Sequence, residues 1–137
     1  MIPEAAMEFL SKEAIRQVDD RRVEIVEVPE WGGKVQVRGL TGAERDQFEA
    51  SIMTGKGTNR DVNMKNVRSK LVVLGTINSA GERLFAPADV AWLSEKSASA
   101  LERVFDAIRK LSGLTDGDVE ELVEDFDDGQ SDDSIFA

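Results

Sequence analysis

The chain has 137 residues, with 17 Lys and Arg against 27 Asp and Glu, and it has no cysteine, histidine or tyrosine. The length predicts one domain with a short tail. The missing residue types exclude a disulfide framework, a thiolate or imidazole metal site and a histidine general base. No apolar run reaches the roughly 18–20 residues of a membrane span, so we expect neither a membrane segment nor a signal peptide.

The excess negative charge is confined to one end of the chain. From Asp116 onward there are ten acids and no base, which leaves 27 − 10 = 17 acids against 17 bases in the rest. This pattern predicts a flexible segment at 1–10, a single domain at 11–126 and a disordered acidic tail at 127–137. An alternative is that the tail folds back on a basic zone in the middle of the chain. That zone contains Arg45, Lys56, Arg60, Lys65, Arg68 and Lys70.

A short helix and a hairpin are predicted first along the chain. Ser11 is expected to cap a helix over 12–18. Two runs with apolar β-branched residues, 23–28 and 34–38, are separated by a loop that contains Gly32 and Gly33, which is typical of a β-hairpin. A lone hairpin is marginal in water, so we expect this one to pack on helices.

Thr41 and Glu44 have the spacing of a capping box, which predicts a helix from Thr41 to about Met53. The Gly55-Lys56-Gly57 triplet follows that helix. A phosphate-binding loop needs a longer glycine spacing and a preceding strand. The triplet therefore indicates a simple linker.

Helices are also predicted in the second half of the chain. The first covers 63–74, although the apolar residues at its end leave open a strand that runs through Ile77. A short helix is expected to open at Pro87. The strongest apolar stripe lies over 97–112, and a last helix is predicted after Thr115. These elements predict an α+β fold: a mainly helical small domain with an N-terminal β-hairpin packed on about four to five helices.

The remaining acids and bases lie in helix-surface or loop patterns, so we expect no catalytic residue, no metal and no cofactor. The acid pairs 127–128 and 132–133 do not fit the D-x-[DN]-x-[DN]-G spacing and twelfth-position glutamate of a calcium-binding EF-hand loop. The negative field of the tail opposes phosphate binding at the basic zone, so no nucleic-acid partner is expected.

Large apolar side chains are the candidate contacts for a protein partner. Trp31, at the predicted hairpin tip, either anchors a partner or folds back to cap the core, and the sequence leaves both open. Trp92 follows a turn under which it is expected to pack, and Met64 is expected to fill the core. The candidate partner-binding residues are Phe9, Trp31, Met64, Leu71, Trp92, Leu101, Phe105 and Ile108.

The chain resembles the tail assembly chaperones of long, flexible-tailed bacteriophages in four segments: EFLSKEAI, VEVPEWGGKVQVRGLTGAERDQFEA, NVRSKLVVLGTINSAGERLF and SEKSASALERVFDAIRKLSGL. The signature is strongest from Val28 to Glu49, and the resemblance covers residues from about Met7 or Phe9 to Leu122. It implies a non-catalytic protein that binds and solubilises the tape measure protein while the tail tube polymerises around it. Residual apolar surface on the stripes at 64–74 and 98–111, and on the N-terminal segment that contains Met7, would supply the contact.

The resemblance also implies a longer product, made by a programmed ribosomal frameshift, that engages the major tail tube protein. A weak homo-oligomer, action in the cytoplasm of the host bacterium and absence from the mature virion are further expectations. The alternative function is an acidic regulatory protein that imitates DNA and binds a host nucleic-acid-binding protein. That alternative predicts negative charge laid along a structured surface.

Overall fold

The computed structural model describes residues 8–54, 61–62 and 64–114. The predicted α+β architecture is confirmed, with an N-terminal antiparallel hairpin packed on helices. The segments at 1–7 and 127–137, the linker at 55–60 and the helix predicted after Thr115 lie outside the described residues. The helices are α1 (Lys12–Gln17), α2 (Gly42–Ile52), α3 (Val67–Gly75), α4 (Val90–Leu93) and α5 (Ala98–Leu111). The strands are β1 (Val23–Val28), β2 (Gly33–Arg38), β3 (Met53–Thr54), β4 (Asp61–Val62) and β5 (Thr76–Ile77), with 3₁₀ turns at Pro29–Trp31 and Pro87–Asp89.

The hairpin becomes a three-stranded antiparallel sheet of order β1-β2-β5. Val26 lies opposite Val35, and both turn toward the core, where the α5 helix packs against the sheet. Because side chains alternate between the two faces of a strand, Val23 and Ile25 point away from that core and are exposed. The strand that the sequence left open at Ile77 is formed, and it follows the α3 helix instead of replacing its last turn.

The predicted capping box is present at the head of α2. The Thr41 hydroxyl accepts a hydrogen bond from the Glu44 amide at 3.1 Å, and the Glu44 carboxylate accepts one from the Thr41 amide at 2.9 Å. The same carboxylate also pairs with Arg83 at 2.8 Å and Arg21 at 3.5 Å. The helix cap therefore joins α2 to the segments that precede β1 and follow β5.

The α3 and α5 helices cross at a glycine. A Cβ atom placed on Gly75 would lie 2.5 Å from Cγ2 of Ile108, so the close approach of the two helices requires a residue without a side chain. The α3 helix begins at Val67, later than the predicted 63, because Asn66 has a left-handed backbone with φ of 60°. Met64 consequently precedes the helix and is exposed, so the expectation that it fills the core is wrong.

The α5 helix ends in a Schellman motif. The Leu114 amide donates to the Arg109 carbonyl at 2.8 Å and the Gly113 amide to the Lys110 carbonyl at 3.2 Å. Gly113 has φ of 74°, a left-handed conformation that glycine adopts without steric cost. The motif buries Leu114 against the core.

Candidate partner-binding surfaces

Four of the eight candidate contacts are core residues: Leu71, Leu101, Phe105 and Ile108. Their exposed fractions lie between 0% and 6%. This burial corrects the expectation that they lie on a partner-binding surface, because a partner reaches them only if the domain opens. The physical reason is that a domain of this size has few other large apolar side chains with which to fill its core. The remaining candidates are Phe9, Trp31, Met64 and Trp92.

The N-terminal stretch 8–20, here called the arm, has a different character from the rest of the described chain. Its α1 helix is capped as predicted, with the Ser11 hydroxyl accepting from the Ala14 amide at 3.1 Å, yet it buries no residue. Phe9 is fully exposed, and Ile15 and Val18 are 56% and 57% exposed. Helices shorter than about 12 residues are marginal in water without tertiary packing. The arm therefore carries apolar side chains that remain more than half exposed in the described part of the chain.

Sequence reasoning selected Phe9 from the arm and missed Leu10, Ile15 and Val18 as exposed groups. The i, i+3 spacing of Ile15 and Val18 is the pattern of a helix edge that faces a core. No local signal distinguishes an edge that the same chain covers from one that it leaves bare.

A second surface, here called the aromatic groove, lies between the hairpin tip and α4. It has a volume of about 370 Å³ and is lined by Trp31, Phe85 and Trp92 together with Lys96. The Phe85 and Trp92 rings meet edge to face, with centroids 5.9 Å apart and planes at 71°, a favourable aromatic geometry. Trp92 is 47% exposed, so it presents apolar surface to solvent.

Trp31 combines the two roles that the sequence left open. Its ring is half-buried and packs against the core, as the capping interpretation predicts. It also lines the aromatic groove. Its indole N–H is buried and has no hydrogen-bond partner among the described residues.

Ion pairs and hydrogen bonds fix the rim of the aromatic groove. The Glu30 carboxylate accepts from the Arg103 guanidinium at 3.0 and 3.1 Å. Its own backbone N–H and then Arg103 hold the pKa of Glu30 below its usual value. The Trp92 indole donates to Asp89 at 2.8 Å and the Ala86 amide donates to it at 2.7 Å, and these bonds lower the pKa of Asp89. Both carboxylates are therefore charged at neutral pH.

A third surface, here called the helix groove, lies between α2 and α3 and has a volume of about 320 Å³. Phe48, Val73 and Leu74 contribute its apolar floor, and Lys70 and Arg83 contribute positive charge at its edges. The Lys70 ammonium donates to the Ser51 carbonyl at 2.9 Å. This surface did not emerge from sequence reasoning, because its walls come from segments that are far apart in the chain.

A fourth surface is the outer face of the sheet. Val23, Ile25 and Leu84 are 46–58% exposed there, beside a depression of about 420 Å³ that Lys34 and Ile77 help to line. The β1 strand is the edge of the sheet, and an edge strand with an exposed apolar face is a common site of association.

The four surfaces are suited to binding apolar segments of another chain. Within residues 8–54, 61–62 and 64–114, no group of three or more acidic, histidine or cysteine side chains is close enough to hold a metal ion. No helix in this described part is both long enough and apolar enough to cross a membrane.

Comparisons with known proteins identify a solved structure with a similar fold. No protein-family model matches the chain, and no curated protein sequence matches it. Among solved structures, the fold is similar to that of the bacteriophage HK97 tail assembly chaperone, with a TM-score of 0.54 and 16% sequence identity. The match covers 77% of this chain and 94% of that one. At this level of identity the likeness demonstrates a shared fold.

Proposed function

We propose that this protein is a phage tail assembly chaperone that binds the tape measure protein and keeps it soluble while the tail tube forms. The observation that carries the proposal is the arm, whose large apolar side chains are exposed on and beside a helix that buries none of its residues. The fold shared with the HK97 tail assembly chaperone supports the same role.

The physical basis is the burial of unpaired apolar surface on both partners. A tape measure protein is expected to expose apolar helical stripes until the tube surrounds it. An amphipathic helix of that kind buries its stripe against matching apolar side chains. Covering a side chain such as Phe9 or Ile15 contributes up to about 1.5–3 kcal/mol. The aromatic groove, with Trp92 exposed at its edge, extends the available contact.

The alternative of an acidic DNA mimic is not favoured by the described surface. Carboxylates on the described surface form ion pairs with basic side chains, as in Glu30 with Arg103, Glu49 with Arg45 and Glu102 with Arg68. A mimic needs unpaired negative charge laid out along an ordered face. The acids after Asp116 lie outside the described residues.

Co-expression tests the proposal. A helical fragment of the tape measure protein is expressed alone, with the full chain, and with the F9S/I15S variant, and its soluble fraction is measured by centrifugation and gel densitometry. We expect the full chain to raise the soluble fraction several-fold and the variant to remove most of that gain. A K12S/R16S variant of the polar side of the arm is the matched control and retains the gain. A fragment that stays equally insoluble with and without the full chain contradicts the proposal.

Several finer expectations stay predictions. They are contact with the major tail tube protein through a frameshifted extension, action in the host cytoplasm and absence from the mature virion. Weak homo-oligomerisation also stays a prediction, and the outer face of the sheet is its best candidate contact. Sedimentation velocity of the parent and a V23S/I25S variant over a range of concentrations tests it, since only the parent is expected to associate.

A further inference from the structure

The helix groove combines an apolar floor with positive charge. Phe48 and Val73 are 2% and 3% exposed, so the floor is formed by the outer surface of the core. Lys70 and Arg83 stand at its edges, and the Glu44 carboxylate that pairs with Arg83 is the nearby acid that partly offsets this charge. An occupant that fits carries a large apolar side chain for the floor and a negative charge for Lys70.

The chain itself contains a segment of that chemistry. Asp132 and Asp133 are followed by Ser134 and then by Ile135 and Phe136. The ten acids from residue 116 onward have no base among them with which to pair. The segment lies outside the described residues, and its charge is opposite to that of Lys70 and Arg83.

The described chain ends close to the helix that forms one wall of the groove. The Leu40 amide donates to the Ser112 hydroxyl at 2.9 Å, which places the end of α5 beside the start of α2. Phe48 lies about 10 Å further along the α2 axis, at 1.5 Å per residue. Asp132 follows Leu114 by 18 residues (132 − 114), and a chain of that length reaches at most about 60 Å. The distance to the groove is therefore well within reach.

We propose that the segment 132–136 binds in the helix groove of its own chain. Ile135 and Phe136 lie on the apolar floor, and Asp132 and Asp133 face Lys70 and Arg83. Tethering on a short linker gives an effective concentration of about 1 mM, so a contact with an intrinsic Kd of about 1 mM is half populated. This inference does not depend on the proposed function.

A spin label on the tail tests the proposal in the full chain. The protein has no cysteine, so S134C supplies a single attachment site for a nitroxide. Amide signals are compared by NMR with the label oxidised and reduced. We expect the amides of Val73 and Val90, which line the groove, to lose at least half of their intensity. The amides of Val23 and Ile25, on the outer face of the sheet, are expected to keep theirs.

Two variants separate the apolar from the electrostatic part of the contact. I135S/F136S, in the S134C background, is expected to restore the groove signals almost completely, and it changes no residue that lines the groove. K70E/R83E is expected to weaken the broadening several-fold, and K34E, which reverses a charge on the outer face of the sheet, is the matched control that leaves it unchanged.

Three outcomes overturn the proposal. One is uniform weak broadening over the whole domain, and another is broadening centred on a different surface. The third comes from mixing two kinds of chain, one that carries the nitroxide without NMR isotopes and one that carries the isotopes without the nitroxide. Broadening in this mixture shows that the tail binds a second copy. None of these outcomes involves a tape measure fragment. A negative spin-label result therefore does not contradict the proposed chaperone function, and a negative co-expression result does not contradict the tail contact.

Discussion

The α1 and α5 helices have the same kind of N-cap, but the apolar edge of α1 is exposed and that of α5 is buried. Each is capped by a serine, Ser11 or Ser97, whose hydroxyl accepts a hydrogen bond from the backbone amide three residues later in the chain. Each has an apolar edge, yet Ile108 on α5 is fully buried whereas Ile15 and Val18 on α1 are exposed. The comparison teaches that a cap and a stripe define a helix, and that the rest of the chain decides whether the stripe becomes core or binding surface.

Removing one isoleucine from each helix gives the largest contrast. Ile108→Ala is expected to lower the free energy of unfolding by about 2–5 kcal/mol, because it removes a fully buried side chain and leaves a cavity. Ile15→Ala is expected to change it by less than about 0.5 kcal/mol. Urea unfolding followed by circular dichroism measures both. Equal effects from the two substitutions would show that the arm is packed in solution.

The crossing of α3 and α5 can be tested at its tightest point. Gly75→Ala is expected to destabilise the fold by about 1–3 kcal/mol, because the new Cβ collides with Ile108. Ile108→Ala removes the three side-chain atoms that the new Cβ would meet, so the double variant should lose less stability than the sum of the two single losses, which a double-mutant cycle detects as coupling. Gly42→Ala, in open space at the start of α2, is the control and should be neutral or slightly stabilising. Additive losses in the double variant would show that the two positions do not touch.

The two serine caps sharpen the comparison further. Ser97→Ala is expected to reduce global stability by about 1 kcal/mol, the usual cost of losing an N-cap. Ser11→Ala removes the corresponding hydrogen bond from α1 but should leave the unfolding midpoint unchanged, since α1 buries nothing. Denaturant titration gives the global effect, and amide hydrogen exchange at Ala14 reports the local one. A lower unfolding midpoint for Ser11→Ala would contradict this separation.

Glu44 belongs to a cap that, unlike that of α1, is tied to distant segments. Burial works to raise the pKa of Glu44, but hydrogen bonds from Arg83 and Thr41 together with the charge of Arg83 hold that pKa below its ordinary value of 4.5. Because the pKa of Glu44 is lower in the folded state than in the unfolded state, its ionised carboxylate stabilises the fold at pH values above the ordinary pKa. This stabilisation is lost as the pH falls through the lowered folded-state pKa.

Glu44→Gln is therefore expected to cost about 0.5 kcal/mol at pH 7, and this difference from the parent should disappear in acid, where both side chains are neutral. Melting temperatures over a pH series measure it. Glu49→Gln, which breaks a single pair with Arg45 one turn along α2, is the control with a smaller cost. A difference that persists unchanged in acid would contradict the electrostatic explanation.

Much of the fold was predictable because its signals are local. The hairpin, the capping box of Thr41 and Glu44, and the α5 helix all follow from spacing and residue type. The start of α3 was not predictable, because it depends on a left-handed Asn66 whose conformation has no strong sequence signal. The third strand remained open for a similar reason, since two residues carry too little periodicity to assign.

The candidate site was predicted less well than the fold. Phe9 and Trp92 are exposed, whereas Leu71 and Phe105, selected on the same grounds, are core residues. Apolar periodicity reports that a side chain avoids water, and it contains no information on which surface covers it. The helix groove was not predicted, because Lys70 and Arg83 come to line the same groove only when the chain folds.

The sequence by itself determined the hairpin, the α2 and α5 helices, the neutral body and the acidic end of the chain, since caps, β-branched runs and charge counts act between near neighbours. Only the tertiary structure decided which apolar edges are buried, where the grooves lie and which carboxylate joins several bases. The reason is physical: burial and cavity shape depend on contacts between residues that are far apart along the chain, and no local pattern encodes which distant element arrives to make them.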